Sequence, residues 1–207
     1  MANTLSFQVL EDGPRNCIVK VVGIIDSADI VASVITAGIT NGLATVTFAA
    51  TSTLVQGQRV TGTGIPANTY ITAITAGVGF TMSQIATATN AAASLTAGSA
   101  VLFDPAVMSK VDDFGTGLAT KCRIDRLVFT VESGLECRLY WDATAPVIIT
   151  DISGAAHQEL AKFGGLQNQA VTTAAAGSNG MITLSTQGWS IGQNLSFNIL
   201  LELVKQK

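Results

Sequence analysis

Residues 121–142 read KCRIDRLVFTVESGLECRLYWD. Two strands are expected here, joined at Glu132-Ser133-Gly134. In the second, Leu135, Cys137, Leu139 and Trp141 alternate with Glu136, Arg138 and Tyr140. A period of two sends the first set to one face and the second set to the other. The stretch therefore reads as a β-hairpin with one apolar face, and both ends of the chain read as packing around it.

Working outward, the closing segment has the same alternation. Leu195, Phe197, Ile199, Leu201 and Leu203 fall on one face; Ser196, Asn198 and Glu202 fall on the other, with Leu200 and Val204. Near the start, Leu5, Phe7 and Val9 alternate with Ser6 and Gln8, and Glu11-Asp12-Gly13-Pro14 supplies a turn. Residues 16–26, NCIVKVVGIID, form a long strand with Cys17, Val19, Val21 and Ile25 on one face and Ile18, Val22 and Ile24 on the other. This strand and the last are the longest and most apolar, so both are expected in central positions of a sheet. Val147-Ile148-Ile149-Thr150 and residues 181–186 read as shorter strands. Residues 155–162 are expected to make one or two helical turns, ended by Phe163-Gly164-Gly165-Leu166. Residues 108–120 and 170–180 read as loops.

Between Ser33 and Gly98 the only charged residue is Arg59. The segment is dense in Thr, Ala, Gly and Ser, and its turn signals (Asn41-Gly42, Gly62-Thr63-Gly64, Pro66-Ala67-Asn68, Gly77-Val78-Gly79) separate five or six short strands. Asn-Gly favours a two-residue hairpin turn because both positions tolerate positive φ. The β alternation and the Val, Ile, Phe and Tyr content point to an ordered module rather than a disordered linker. The chain is thus expected to be all-β. A jelly-roll or β-sandwich core comprises residues 1–32 and 99–207; a small Ig-like or β-rich module, residues 33–98, is inserted at a loop.

Charged residues are 12% of the 207 and the formal net charge is −3. No basic patch offers itself to phosphates, so nucleic acid is not an expected partner. No apolar run reaches the roughly 18 residues of a membrane helix, so no membrane partner is expected either. MANTLSFQVLEDG lacks a basic region followed by an apolar core, and no signal peptide is expected. Cys17, Cys122 and Cys137 are an odd count without paired spacing and read as buried, reduced thiols of a protein made in cytoplasm.

Candidate chemistry is sparse. His157 is the single histidine, and no Ser, Cys or carboxylate constellation surrounds it in sequence. Asp112-Asp113 lie among glycines, but calcium needs about six oxygens and no EF-hand loop is present. Gly62-Thr63-Gly64-Ile65-Pro66 lacks the Lys-Ser/Thr of a phosphate loop and reads as a turn. Trp141, Trp189, Tyr140 and Tyr70 are the aromatics that would stack on a sugar, though Trp141 lies on the apolar face. Lys121, Arg123 and Arg126 make a small basic spot interleaved with Asp125. No catalytic, cofactor-binding or metal-binding residue is expected, nor an enzyme.

Several core segments resemble a family of bacteriophage virion proteins. The matching pieces are Gln8-Val9-Leu10-Glu11-Asp12-Gly13-Pro14-Arg15-Asn16 with the Val-Lys-Val strand after it, Arg123-Ile124-Asp125, Leu139-Tyr140-Trp141-Asp142-Ala143-Thr144, Gly164-Gly165-Leu166-Gln167-Asn168 and the closing Leu-Glu-Leu-Val-Lys. The inserted segment, with Val60-Thr61-Gly62-Thr63-Gly64-Ile65-Pro66 and Phe80-Thr81-Met82-Ser83, is similar to small β modules of phage tail, fibre and capsid-surface proteins. The resemblance implies a virion structural protein. Within that class it implies a capsid decoration (cement) protein on the capsid surface, with the major capsid protein and further copies of itself, as homodimer or homotrimer, for partners. A tail, neck or baseplate component and a host-glycan binding module remain as alternatives.

Overall fold

The computed structural model describes residues 3–108, 117 and 119–206. The expected loop at 108–120 and the Asp112-Asp113 pair fall largely or wholly outside these. Fifteen strands are present: β1 (Thr4–Asp12), β2 (Asn16–Ile25), β3 (Ser33–Ile39), β4 (Thr45–Thr47), β5 (Gln58–Gly62), β6 (Ile71–Thr75), β7 (Gly79–Met82), β8 (Asn90–Phe103), β9 (Lys121–Val131), β10 (Glu136–Trp141), β11 (Val147–Ile152), β12 (Gly154–Glu159), β13 (Leu166–Gln167), β14 (Ile182–Gln187) and β15 (Leu195–Gln206). One short helix, α1 (Gln169–Thr172), is capped by the Asn168 side chain.

The strands form two antiparallel sheets packed as a β-sandwich. The first has the order β1-β2-β15-β9-β12, with β13 also on β9. The second has the order β11-β10-β14-β8-β3-β4-β7-β6, with β5 also on β8. As expected, β2 and β15 are both internal strands of the first sheet.

The 121–142 stretch does form two strands joined by a turn, with Gly134 at φ +96° and Leu135 N–H donating to the Glu132 carbonyl at 3.1 Å. They are not a hairpin. β9 pairs with β15 and β12 in the first sheet; β10 pairs with β11 and β14 in the second. The turn is an arch from one sheet to the other, and the burial pattern gives the reason. Ile124, Leu127, Phe129 and Val131 are buried on β9, and Leu135, Cys137, Leu139 and Trp141 are buried at β10. Face to face across the sandwich, the two apolar rows cover one another. Edge to edge in one sheet they would need a third element to cover them. β11 and β12 repeat the device: residues 147–159 run from the edge of the second sheet to the edge of the first, turning at Gly154 with φ +69°.

Gly23 interrupts the apolar face of β2 for a packing reason. A Cβ there would collide with the Phe197 ring and with Leu5, so the missing side chain is the socket for that ring. The other face of β2 is open, with Val22 and Ile24 each 39% exposed.

Residues 33–98 supply six strands, counting the N-terminal part of β8. They bury a separate apolar cluster around Ile39, Val46, Ile71, Phe80, Met82 and Leu95, whereas the sandwich cluster runs from Leu5 to Leu203 and takes in Val55. The side chains divide between Ala97 and Ala100, but the backbone does not. β8 passes through both clusters. Ala97 is paired with Ser33 of β3 and Val60 of β5, while Ala100 is paired with Leu184 of β14 and Gln58 of β5. β14 and β3 thus follow one another along one edge of β8, and β5 holds the other.

Two local expectations are corrected. Residues 155–159 are strand, not helix; only Ala161–Phe163 makes a single 3₁₀ turn, ended by Gly164 at φ +87°. The backbone hydrogen bonds on offer along β9 outweigh the weak helical preference of Ala-Ala-His-Gln-Glu. Asn41-Gly42 does sit in a turn, with Gly42 at φ +80°, but not a two-residue hairpin. Gly42 N–H donates to the Ala86 carbonyl and Leu43 accepts from Ala86, so β3 and β4 meet only at Gly38 and Thr47.

Candidate functional site

The structure spreads the sequence candidates over the molecule. His157 is exposed on β12, and its Nε2 lies 2.7 Å from Glu159 Oε1. Gly62 to Pro66 is a turn closed by Ile65 N–H to the Gly62 carbonyl at 3.1 Å. Trp141 is 2% exposed, inside the core. Trp189 is half-buried, with its indole N–H donating to the Gln193 carbonyl at 3.0 Å. Tyr140 and Tyr70 are half-buried and lie apart, Tyr140 on β10 and Tyr70 bridged to Arg59. Two of the three charges of the basic spot, Arg123 and Arg126, are neutralised in place. Arg123 binds Asp125 through two hydrogen bonds of 2.8 and 3.1 Å, and Arg126 binds Glu202 and, at 3.7 Å, Glu159. All three cysteines are free and buried. Burial, then the Asp12 charge, pushes the Cys17 thiol up to about 11. Burial pushes Cys137 up to about 12, and burial together with neighbouring Cys17 lifts Cys122 well above its usual value. These are packing residues, protonated throughout the physiological range. Among the described residues no three His, Cys, Asp or Glu side chains gather as a metal site.

Two features were not anticipated. The first is a polar seam where the 33–98 segment meets the sandwich. Arg59, on β5, forms an ion pair with Asp142, immediately after β10. The same Asp142 carboxylate accepts from the Asn179 amide at 2.6 Å, and that amide also donates to Asn68 Oδ1 at 2.9 Å. Asn68 is one of two non-glycine residues with positive φ among the described residues, at +59°. Asp142 is 5% exposed, so its charge needs the guanidinium and amide around it. Beside the seam lies a cleft of about 440 Å³, lined by Arg59 and Asp142 together with Thr61, Thr96, Thr183 and small or apolar residues such as Ala143 and Pro146. No aromatic side chain lines it. The signal was present in the sequence: a lone charge within an uncharged, well-packed segment has to find a countercharge outside it.

The second feature is a difference between the two lateral sides of the sandwich. On one side the inserted segment reaches over β1, with Gly57 set so closely against the Phe7 ring that a Cβ would collide with it. On the other side β11 and β12 end their sheets, and among the described residues nothing is paired beyond them. All six residues of β12 are exposed, on both faces. Ile148 of β11 is 56% exposed, and Phe163, just past β12, is 87% exposed.

No family model, no curated protein and no solved structure matches this chain.

Proposed function

We propose that this chain is a structural protein of a bacteriophage particle and decorates the outside of the capsid, binding the major capsid protein and stabilising the shell. One observation carries the reading beyond the sequence resemblance: the outer face of the first sheet. It is four to five strands wide and backed by the fully packed core. Cross-strand rows run Val22–Asn198–Thr130, Lys20–Leu200–Val128–His157 and Ile18–Glu202–Arg126–Glu159. Val22 and Ile24 stand out of it, and its last row is internally ion-paired. A rigid, nearly neutral face with scattered apolar side chains suits a modest contact with another protein surface. Repeated over a shell, such contacts add up.

Quantitative mass spectrometry of purified virions tests this. A copy number near that of the major capsid protein is expected. A number an order of magnitude lower moves the chain to the tail, neck or baseplate, and absence from the particle overturns the virion reading. Val22→Glu with Ile24→Glu is expected to abolish binding to bare shells while leaving the fold intact, because both side chains already face solvent in the free protein.

A further inference from the structure

We infer that the β12 edge is a self-association site, and that two copies join there by antiparallel pairing of β12 with β12 about a two-fold axis at Ala156. The inference deepens the assembly reading above by naming a contact between copies; it is tested on isolated protein, so its failure and that of the capsid reading are separable.

The case rests on how the two edges of the first sheet are finished. An edge strand offers a row of unpaired N–H and C=O groups, and proteins blunt such edges with charge, Pro, bulges or a covering segment. β1 is blunted by a bulge between Val9 and Glu11, by the carboxylates of Glu11 and Asp12, and by the inserted segment packed on Phe7. β12, Gly-Ala-Ala-His-Gln-Glu, has no Pro, no Lys and no bulge, carries its one carboxylate, Glu159, only at its last position, and has no cover among the described residues. The occupant that fits it is a second β12.

Antiparallel pairing about Ala156 sets Ala156 against Ala156, Ala155 against His157 and Gly154 against Gln158 of the second copy. No like charges face each other in that register, and the small side chains on the axis let the backbones close to hydrogen-bonding distance. The charges at the ends are complementary as well. Lys162, which makes no ion pair among the described residues, follows the C-terminal end of β12; Asp151, already ion-paired with Arg138 and still 43% exposed at its side chain, precedes the N-terminal end. An antiparallel two-fold brings each end beside the other, so Lys162 and Phe163 of one copy arrive at the Asp151–Gly154 corner of its partner. The two first sheets then become one continuous sheet, leaving both outer faces pointing the same way.

Light scattering coupled to size exclusion reads the result. The wild type is expected to run at twice the chain mass. Ala156→Lys, which charges the edge from an exposed position, should shift it to a folded monomer by circular dichroism, whereas Gln8→Lys on the opposite edge should leave the dimer intact. Ala156→Cys under mild oxidation should give a covalent dimer, since residues opposed in antiparallel strands lie within disulfide range. The native thiols are all buried and do not compete. A wild-type monomer at tens of micromolar overturns the inference; so does a dimer that survives Ala156→Lys. If that variant fails to fold, Ala156→Cys decides, and its failure to cross-link a dimeric protein places the contact elsewhere.

Discussion

The two apolar clusters of this protein are built in opposite ways. The sandwich cluster uses long strands and large side chains: β2, β9 and β15 contribute Val21, Ile25, Leu127, Phe129, Phe197 and Leu201. The cluster of residues 33–98 intersperses Ile, Val, Phe and Met with Ala37, Ala86, Ala93 and Ala97, on strands as short as three residues. Area buried per residue is therefore smaller, and close approach of backbone has to compensate. Gly79 is set against the Val46 carbonyl and Gly38 against the Thr47 side chain, each closer than a Cβ would permit. The first cluster is stabilised mainly by apolar area, the second by small residues, hydrogen-bonded short strands and a strand, β8, shared with the larger unit.

The largest expected effect tests whether sharing β8 makes the two clusters one cooperative unit. Phe197→Ala removes a ring that is 2% exposed and empties the socket over Gly23, at a cost of about 3–5 kcal/mol. Phe80→Ala, at 3% exposure in the smaller cluster, is expected to cost less because its neighbours are smaller and closer to collapse. In differential scanning calorimetry both variants should lower a single transition. A separate early transition in Phe80→Ala alone would show that residues 33–98 melt independently despite β8.

Next in size is Gly79→Ala. Gly79 does not need positive φ, so the cost is steric. The new methyl meets the Val46 backbone, and β4 and β7 must move apart, for about 1–3 kcal/mol. Gly77→Ala, in the same turn with open space around it but φ +70°, separates the two causes: it pays only for backbone conformation, about 1 kcal/mol. Equal urea midpoints for the two variants would mean that close approach is not what holds this region together.

Much of this architecture is readable from residue order, and the misreadings share one cause. Alternation identified β2, β10 and β15 and the inward set on each, including Trp141, because a period of two is a local property; β9 was legible as a strand but not by its faces. Alternation does not say whether two consecutive strands lie side by side or face to face. Residues 121–142 therefore looked like a hairpin and are an arch, since each apolar row is satisfied only by the opposite sheet. The same limit hid β12, whose sequence has no strand signature and which is strand because β9 offers it hydrogen bonds. Of the surface features, the polarity of the 33–98 segment was plain, but the pairing of Arg59 with Asp142 depends on two residues 83 positions apart. The bare edge at β12 depends on what does not pack there, which residue order cannot express.

The seam between the two clusters gives the next test. Asp142→Asn keeps the shape but removes the charge opposite Arg59, whose Nε already lacks a partner. Leaving a partly buried guanidinium without its carboxylate should cost about 1–3 kcal/mol. If the pair holds the two clusters in register, Arg59→Gln added to Asp142→Asn should recover part of that loss, since neither charge is then left unmatched. Strict additivity in a double-mutant cycle would reduce the pair to a bystander.

The smallest effect has the opposite sign, at a buried carboxylate outside the Arg59–Asp142 pair. Asp104 ends β8, is 7% exposed, and accepts a hydrogen bond from Ala106 N–H at 2.9 Å. Burial raises its pKa above the ordinary carboxylate value, partly offset by that hydrogen bond, and its charge in turn helps burial to raise Tyr70. A carboxyl whose folded pKa is raised binds its proton more tightly in the folded chain. Stability therefore increases as pH falls through the folded pKa toward the unfolded one, and the ionised form is a cost at neutral pH. Asp104→Asn retains an oxygen for Ala106 and discards the charge, so thermal stability at pH 7 should rise slightly, since the hydrogen bond from Ala106 already offsets part of the cost of burying the charge. The gain over wild type should shrink as the pH is lowered and Asp104 takes up its proton. Two buried carboxylates, Asp142 and Asp104, would then respond to the same substitution in opposite directions, according to whether a cation was placed beside them; a loss of stability in Asp104→Asn would mean instead that the ionised cap on Ala106 outweighs the cost of burying it.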